Sequence, residues 1–483
     1  MKNAKAKNSL AQKGNQSKSA KPNSKPYQVR RFDLPKNFVF GASTSAYQIE
    51  GSVDTDGRGP SIWEKYFSER PDLDNGSVAC DHYGRMQEDV QMIKDMGLKA
   101  YRFSVSWSRI MPTGRGQVNE QGLKFYSQLV DLLLASGIEP YITLYHWDLP
   151  LALQEEFGGW ESREVAQYFA DYSVVVAHHL GDRVKYWCTF NEPEVIVAGY
   201  IGTGLAPGLN DMTKRTRVIH NLLYAHGLST RAMREVYPKN KYGIVLNLVP
   251  IEPDDAGSAQ AVSNARRRWL SNYAVYLEAL LKGRYPDVVL AEMAANGIEP
   301  APGDMALIAQ SLDYLGVNWY LRFVVDKNDN IVPVPGAELT QMGWEMHPAA
   351  LTRMLVSMSK EYHLPPIYIT ENGAALDDKV EEGRIHDRRR TQYLYEHIQA
   401  LEAASVQGVN IRGYFAWSLM DNLEWSLGYK MTFGIVHVDR HTLLRTVKDS
   451  GRFYGKLIAL HHKKRKKSER SGKGHKGSKR AKQ

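Results

Sequence analysis

Three common features are missing from this sequence of 483 residues, and each absence excludes a class of protein. Only two cysteines occur, Cys80 and Cys188, so a disulfide framework is excluded, and no CxxC spacing indicates a metal site. No run of about 18 apolar residues is long enough for a transmembrane helix. No apolar segment follows the basic N-terminus, as it would in a secretory signal. We therefore expect a soluble, cytoplasmic protein.

The net charge of +9 comes entirely from the two ends of the chain. Residues 1–31 carry nine Lys and Arg and no acid, and residues 463–483 carry eleven and one Glu, so residues 32–462 have a net charge of −10. Both ends are also poor in apolar residues, which predicts disordered basic tails around one folded domain at 32–462. Such tails suit weak, salt-sensitive binding to an anionic polymer or surface, although most runs of like charge are simply solvated.

Between the tails, eight apolar, β-rich runs alternate with eight segments of helical period. Near-continuous apolar runs are typical of parallel strands buried on both faces. The alternation predicts an α/β protein, a single (β/α)8 TIM barrel. Gly97, Gly137 and Gly181 follow three of the helices, where a residue with positive φ is expected. The runs lie at 38–44, 100–107, 139–147, 184–190, 242–249, 314–320, 367–371 and 411–418, and the helical segments at 83–96, 119–136, 162–180, 216–236, 266–282, 348–362, 387–404 and 450–461.

The C-terminal ends of the strands carry the chemistry of such barrels. Two of these ends present a glutamate before a turn former, Glu192 in Thr189–Pro193 and Glu371 in Ile369–Gly373. Glycoside cleavage needs such a pair, because one carboxyl protonates the leaving oxygen while the other attacks or stabilises the sugar cation. The other ends, which we expect to face the same pocket, carry groups that suit the hydroxyls and ring face of a sugar. They are Gln48, Glu50, Arg102, Trp107, His146, Trp147, Asp148, Asn191, Asn247, Asn318, Trp319, Tyr320, Trp417, Glu424 and Trp425.

Six motifs, in collinear order over about residues 33–462, make the sequence similar to the β-glycosidases of glycoside hydrolase family 1. The motifs are Phe40–Gly51, Tyr101–Trp107, Tyr145–Pro150, Thr189–Pro193, Ile369–Gly373 and the loop from Trp417 to Trp425. The resemblance implies a retaining, exo-acting β-glucosidase that hydrolyses terminal β-D-glucosyl residues of oligosaccharides or aryl and alkyl glycosides. It also implies side activity on β-galactosides and β-fucosides, a part in cellulose degradation, a small carbohydrate as substrate, and no cofactor or metal. The basic tails lie outside the family pattern.

The resemblance also assigns a role to individual residues. Glu192 matches the acid/base and Glu371 the nucleophile, with Arg102 and Tyr320 supporting the nucleophile. Retention would require the two carboxyls to lie about 5–5.5 Å apart. Trp344 matches a tryptophan on the leaving-group side. Substrate-binding roles are implied for Gln48, His146, Trp147, Asn191, Asn318, Trp344, Trp417, Glu424 and Trp425.

Three alternatives stay open at this point. A 6-phospho-β-glycosidase would have Ser, Lys and Tyr where this chain has Glu424, Met431 and Phe433, although Lys430 lies next to them. A transglycosidase would use the same catalytic residues. A non-catalytic barrel with anion-binding tails is disfavoured because both carboxylates are present. Glu192 itself favours O-glycosides, since thioglucosidase-like relatives have Gln there. The sequence does not indicate an oligomeric state.

Overall fold

The computed structural model describes residues 29–463, and its centre is a closed barrel of eight parallel strands. Neighbouring strands pair in chain order, and the first strand closes the barrel against the last, with Val39 opposite Gly413. This confirms the predicted TIM barrel, and each barrel strand overlaps one of the eight predicted apolar runs, extending at most one residue beyond it. The strands are Val39–Ser43, Ala100–Ser104, Glu139–Tyr145, Tyr186–Asn191, Lys241–Asn247, Tyr314–Trp319, Ile367–Asn372 and Ile411–Trp417.

Long helices pack around the barrel at all eight predicted places. They are His82–Asp95, Glu120–Ala135, Arg163–Leu180, Arg215–Val236, Ala259–Lys282, Pro348–Glu361, Arg388–Val406 and Asp449–His462. The fifth begins earlier than predicted, and its middle, Leu270–Ala274, is one turn of π-helix. Shorter α-helices lie in the connections, at Ala46–Ile49, Ile62–Ser68, Trp107–Ile110, Leu151–Phe157, Pro193–Ile201, Asp287–Ala295 and Asp304–Ile308. Turns of 3-10 helix occur at Gly159–Glu161, Met212–Lys214 and Trp425–Lys430.

Aromatic rings fill the barrel near the starts of the strands. Tyr141 and Tyr186 stack there with ring centroids 4.2 Å apart, and Phe415 meets Tyr141 edge-on at 5.0 Å. Gly413 makes room for this layer, because a Cβ at that position would lie 2.6 Å from the ring of Tyr368. This end of the barrel is therefore packed core, which leaves the opposite end for chemistry.

The three helix-terminal glycines do not behave alike. Gly97 and Gly137 have φ values of 77° and 69°, as predicted. The prediction was wrong for Gly181, which has φ of −71° and stays in the right-handed region. Glycine is needed there for close packing instead, since a Cβ would lie 2.5 Å from the carbonyl oxygen of Ala177 and 2.6 Å from the ring of Tyr237.

A buried ion network joins the last loops at the mouth of the barrel, by which we mean the end where the eight strands finish. Lys448 Nζ lies 2.6 Å from Asp378 and 2.7 Å from Asp421, and Arg390 Nη1 lies 2.8 Å from Asp378 and 2.7 Å from Asp387. Each buried cation thus meets two carboxylates, because a charge removed from water is costly unless it is paired.

Three pairs of short strands also lie in the loops. They are Ile251–Pro253 with Phe323–Val325, Val380–Glu381 with Arg384–Ile385, and Val436–Val438 with Arg445–Val447.

The two ends of the described chain lie side by side. Arg31 Nη1 donates a hydrogen bond of 3.3 Å to the carbonyl oxygen of Lys463. Arg30, at the edge of the predicted N-terminal tail, pairs with Glu402 at 2.5 Å and lies 4.0 Å over the ring of Phe32. The rest of both predicted tails, 1–28 and 464–483, falls outside the described residues. Within residues 29–463, no helix is both long and apolar enough to cross a membrane.

Candidate active site

The two strand-end glutamates both lie at the mouth of the barrel. Glu371 belongs to the seventh strand, and Glu192 directly follows the fourth. Glu192 has a positive φ of 50° and caps the helix Pro193–Ile201, while its backbone N–H donates to Val245 on the fifth strand at 2.9 Å. Both side chains are buried, with 3% of each residue exposed. Their carboxyls therefore share one secluded end of the barrel.

Glu371 is held by a cation and a phenol. Arg102 Nη1 donates to its Oε1 at 2.6 Å, and the Tyr320 hydroxyl donates to its Oε2 at 2.8 Å. Burial raises the pKa of Glu371, and Arg102 and Tyr320 both oppose that rise. These contacts favour the ionised carboxylate, which is the form that can act as a nucleophile.

Glu192 lies in a different environment, since no Lys, Arg or His among residues 29–463 forms an ion pair with it. Asn318 Nδ2 donates to its Oε1 at 2.7 Å. Burial and the negative charge of Glu371 raise the pKa of Glu192 well above its ordinary value, while the Asn318 hydrogen bond lowers it. The arrangement therefore favours a protonated Glu192 beside an ionised Glu371, which gives one acid and one nucleophile.

Amide groups connect the two carboxyls. Asn191 Oδ1 accepts from Arg102 Nη2 at 2.7 Å and from Asn318 Nδ2 at 3.1 Å. The hydroxyl of Thr370 donates to Asn318 Oδ1 at 2.8 Å, which fixes the amide so that its nitrogen faces Glu192. Our sequence reasoning missed Thr370, although its place directly before Glu371 in the motif was the available signal.

His146 and three tryptophans form an aromatic wall beside these amides. The His146 ring lies 5.9 Å from that of Trp417 at an angle of 13°, and its Nε2 accepts from Asn191 Nδ2 at 3.3 Å. Burial and the nearby Arg102 lower the pKa of His146, so its imidazole is neutral and suits a hydroxyl. Trp147 donates its indole N–H to the carbonyl oxygen of Asn191 at 2.9 Å, and its ring lies 4.7 Å from that of Trp425.

Gln48 joins the first strand end to the last loop of the mouth. Its Nε2 donates to the carbonyl oxygen of Leu423 at 2.7 Å, and its Oε1 accepts from Ser45 at 2.5 Å. The loop that begins there carries Glu424, whose pKa is raised to about 8 by burial and by the charge of Glu371. Gln48 thereby fixes the position of a carboxyl that can bind sugar hydroxyls.

Trp344 lies in the long connection that follows the sixth barrel strand. Its half-buried ring packs 5.3 Å from Tyr320 and 6.1 Å from Phe433. This places it beside the tyrosine that contacts Glu371. Among residues 29–463, no group of three or more His, Cys, Asp or Glu side chains is arranged to hold a metal ion.

Glu50 and Trp107 do not join the pocket as we predicted. Glu50 forms a buried ion pair with Arg109 at 3.0 Å and accepts from Tyr126 at 2.6 Å. Trp107 is buried in the core and stacks on Tyr172 at 5.0 Å. Both lie in the connections beyond their strands, where short helices turn the chain away from the barrel axis.

The family model described as Glycosyl hydrolase family 1 matches residues 30–463. The chain belongs to glycosyl hydrolase family 1. It is therefore a glycoside hydrolase, and the mouth of the barrel with Glu192 and Glu371 is its candidate active site. The family resemblance drawn from the six motifs is confirmed.

Several relatives match nearly the whole described chain. Beta-glucosidase A of Thermotoga maritima is 43% identical over 442 residues, which cover 89% of this chain and 98% of that protein. The bifunctional β-D-glucosidase/β-D-fucosidase of Bifidobacterium breve is 41% identical, with 89% and 98% covered. A solved structure of the Thermotoga maritima β-glucosidase in complex with deoxynojirimycin superposes with a TM-score of 0.85 at 42% identity, covering 90% of this chain and 100% of that one.

Proposed function

We propose that this enzyme is an exo-acting β-glucosidase that cleaves terminal β-D-glucosyl residues with retention of configuration. The relatives named β-glucosidase support glucose as the preferred sugar. The relative named 1,4-β-D-glucan glucohydrolase from Thermotoga neapolitana, 43% identical with 88% of this chain covered, supports short β-glucan fragments from cellulose as substrates. The β-glucosidase/β-fucosidase relative supports side activity on β-fucosides, and we extend this proposal to β-galactosides.

The observation that carries the proposal is the contrast between the two carboxyls. Glu371 accepts from a guanidinium and a phenol, which stabilise negative charge. Glu192 accepts from a neutral amide and lies close enough to Glu371 for that charge to raise its pKa. Double displacement needs this division, with one ionised nucleophile and one protonated acid.

In the first step, Glu371 attacks the anomeric carbon as Glu192 gives its proton to the glycosidic oxygen. The bond between that carbon and oxygen breaks, the leaving group departs as an alcohol, and the sugar is held as an ester of Glu371. Asn191, adjacent to both networks, is placed to hydrogen-bond a sugar hydroxyl. We assign it the 2-hydroxyl, because a contact there strengthens as positive charge develops on the ring.

In the second step, Glu192 takes a proton from water, and the water oxygen attacks the anomeric carbon. Esterification has by then removed the charge of Glu371 that raised the pKa of Glu192, so Glu192 acts as a base more readily. The ester bond breaks, glucose leaves with its original configuration, and both carboxyls return to their starting states.

The aromatic wall and the polar groups beside it support exo-action on an uncharged substrate. Gln48, His146 and Glu424 offer amide, imidazole and carboxyl groups to the hydroxyls of one terminal sugar, and Trp417 offers a flat face. A 6-phosphate would meet the carboxyl of Glu424 and the apolar cluster that contains Phe433 and Met431, while Lys430 is exposed. We therefore favour unphosphorylated substrates.

The proposal is tested by the stereochemistry of the first product and by trapping the ester. When the enzyme hydrolyses an aryl β-glucoside, NMR should show β-glucose as the first product, and α-glucose only after mutarotation. Glu192→Gln mixed with a dinitrophenyl β-glucoside should gain the mass of one glucosyl group, because a good leaving group needs no acid while the second step still needs a base. Initial release of the α-anomer, or no turnover by the wild type, would refute the mechanism. Product analysis at high substrate concentration separates hydrolysis from transglycosylation.

We also propose that the basic ends bind a polyanion weakly. The contact between Arg31 and Lys463 brings the two ends of the described chain together. They meet beside the start of the first strand and the end of the last helix, which is the face opposite the mouth. A polyanion bound there would leave the active site open.

A further inference from the structure

The seventh strand is irregular at the point where it carries Glu371. Between Ile369 and Asn372 it takes three steps, while the paired segments of the sixth and eighth strands take only two. The seventh strand therefore contains one residue more than both of its neighbours, which is a β-bulge next to an active-site glutamate. Bulges of this kind change the direction in which a side chain points.

The bulge turns two consecutive side chains toward the pocket. In a regular strand, neighbouring side chains point to opposite faces of the sheet. Here the hydroxyl of Thr370 donates to Asn318 Oδ1 at 2.8 Å, and the next residue, Glu371, accepts from Arg102 and Tyr320. Without the extra residue, only one of these two neighbours would contact the pocket.

The neighbouring strands accommodate the bulge closely. Gly316 on the sixth strand makes room for it, because a Cβ there would lie 2.5 Å from Val245 and 3.0 Å from the side chain of Thr370. The hydroxyl of Ser43, at the end of the first strand, donates to the carbonyl oxygen of Thr370 at 2.7 Å. The bulge is thus a built feature of this barrel.

Asn372 fixes the end of the bulged strand from the side of the outer helices. Its Nδ2 donates to the carbonyl oxygen of Trp319 on the sixth strand and to the hydroxyl of Tyr393 on the helix Arg388–Val406, both at 2.9 Å. Its Oδ1 accepts from the hydroxyl of Tyr414 on the eighth strand, also at 2.9 Å. One fully buried amide thereby joins three strands to a helix.

These hydrogen bonds act on both partners of the contact between Glu371 and Tyr320. Asn372 directly follows Glu371, and Trp319, whose carbonyl oxygen it holds, directly precedes Tyr320. The Tyr320 hydroxyl donates to Glu371 Oε2 at 2.8 Å and helps to oppose the rise in the pKa of Glu371. Asn372 therefore fixes the carboxylate relative to a donor that keeps it ionised.

We propose that Asn372, with Tyr393 and Tyr414, is a positioning residue that holds the bulge and so orients Glu371 toward the anomeric carbon. The inference rests on the proposed double displacement, in which Glu371 is the nucleophile. A displacement of about 1 Å can lower the rate by about 100-fold, so the loss of this support should be measurable. An amide that only stabilised the fold would not change the rate of the folded enzyme.

The most direct test measures attack by Glu371 alone. With 2-deoxy-2-fluoro-β-D-glucosyl fluoride, the Glu371 ester forms as the bond between carbon and fluorine breaks, and the fluoride ion leaves without a proton from Glu192. Mass spectrometry follows the rate of this labelling. We expect Asn372→Leu to be labelled about 10- to 100-fold more slowly than the wild type. Tyr393→Phe and Tyr414→Phe should be slowed by less, since each loses one hydrogen bond.

The acidic limb of kcat/KM for an aryl glucoside gives a second readout. If Tyr320 moves away from Glu371, the carboxylate loses a donor, so the pKa of Glu371 rises and the limb shifts to higher pH. Arg102, Glu192 and Glu424 lie close enough for charge to act between them and Glu371, and the variants leave all three in place. We expect kcat and kcat/KM to fall together.

Asn264→Leu is the matched control. Asn264 is also a buried amide that donates two hydrogen bonds, to the carbonyl oxygens of Asp326 and Lys327 at 3.1 and 3.2 Å. Its replacement should lower the melting temperature while leaving the labelling rate and the pH profile as in the wild type.

Two results would overturn the inference. Labelling of Asn372→Leu at the wild-type rate, with an unmoved acidic limb, would make the amide purely structural; if that variant does not fold, the same result with both phenylalanine variants decides. Equal slowing by Asn264→Leu would mean that the loss of any buried amide loosens the site. If the wild type itself is not labelled, the proposed mechanism fails; if the wild type and all variants are labelled equally, only the role of Asn372 fails.

Discussion

The side-chain amide of Asn318 donates to Glu192 Oε1 at 2.7 Å. The other end of that amide accepts from the hydroxyl of Thr370, which directly precedes the nucleophile in the chain. The proposed acid/base is thus oriented by the strand that carries the proposed nucleophile. The hydrogen bond from Asn318 also stabilises the carboxylate of Glu192 and opposes the rise in the pKa of Glu192.

Replacing Asn318 should therefore move the pH profile in a defined direction. Asn318→Leu removes the donor, so the carboxylate of Glu192 is less stable and its pKa rises further. The alkaline limb of kcat/KM, where Glu192 loses its proton, should shift to higher pH. We expect kcat to fall by about 10- to 100-fold, as for loss of a hydrogen bond to a charged group. Thr370→Val should shift the limb in the same direction by less, and a shift of either variant to lower pH would contradict this account.

Removing the charge of Glu371 should have the opposite effect on Glu192. Glu371→Gln abolishes the nucleophile, and we expect kcat to fall at least about 10⁴-fold, equivalent to about 5.5 kcal/mol of barrier. In the same variant the pKa of Glu192 should fall, because a negative neighbour has become neutral. Infrared or NMR titration of the Glu192 carboxyl measures this directly. An unchanged pKa would show that burial alone protonates Glu192.

Lys448 should matter for stability rather than for chemistry. It is fully buried between Asp378 and Asp421, so Lys448→Met removes the cation that these two carboxylates share and should cost about 3–5 kcal/mol of unfolding free energy in urea at pH 7. The exposed Lys185, 4.0 Å from Glu139, is the control, and Lys185→Met should cost less than about 1 kcal/mol.

The same network gives a pH dependence with a definite sign. Burial raises the pKa of Asp421, but Lys448, His437 and Arg390 outweigh it and lower that pKa below the ordinary value. The stability from ionised Asp421 is therefore present above its unfolded pKa and lost as pH falls through the lowered folded pKa. The difference between wild type and Lys448→Met should shrink on acidification, and a difference that grows instead would contradict the assignment.

The fold was predictable because its strands carry near-continuous apolar runs and its helices carry a 3.6-residue period, and both patterns are local. The placement of Glu192 and Glu371 at the mouth was predictable because each follows or ends such a run before a turn former. Glu50 and Gly181 were misjudged for a different reason: their roles depend on contacts with Arg109 and Tyr237, which are distant in the chain.

The basic ends offer a prediction that separates binding from catalysis. Deleting 1–28 and 464–483 keeps Arg30 with Glu402 and Arg31 with Lys463, and it removes sixteen net positive charges. We expect kcat/KM for a neutral aryl glucoside to stay within about twofold, because charges beyond the screening length of about 8 Å in physiological salt barely act on an uncharged substrate. Binding to poly(U) or heparin should be lost. In the full chain, the logarithm of the binding constant should fall linearly with the logarithm of the salt concentration.

Changing only the basic residues of 464–467 to Gln should weaken this binding in part. A large loss of turnover on deletion would show that the ends support the folded body, and retained salt-sensitive binding would place the polyanion site on the barrel itself.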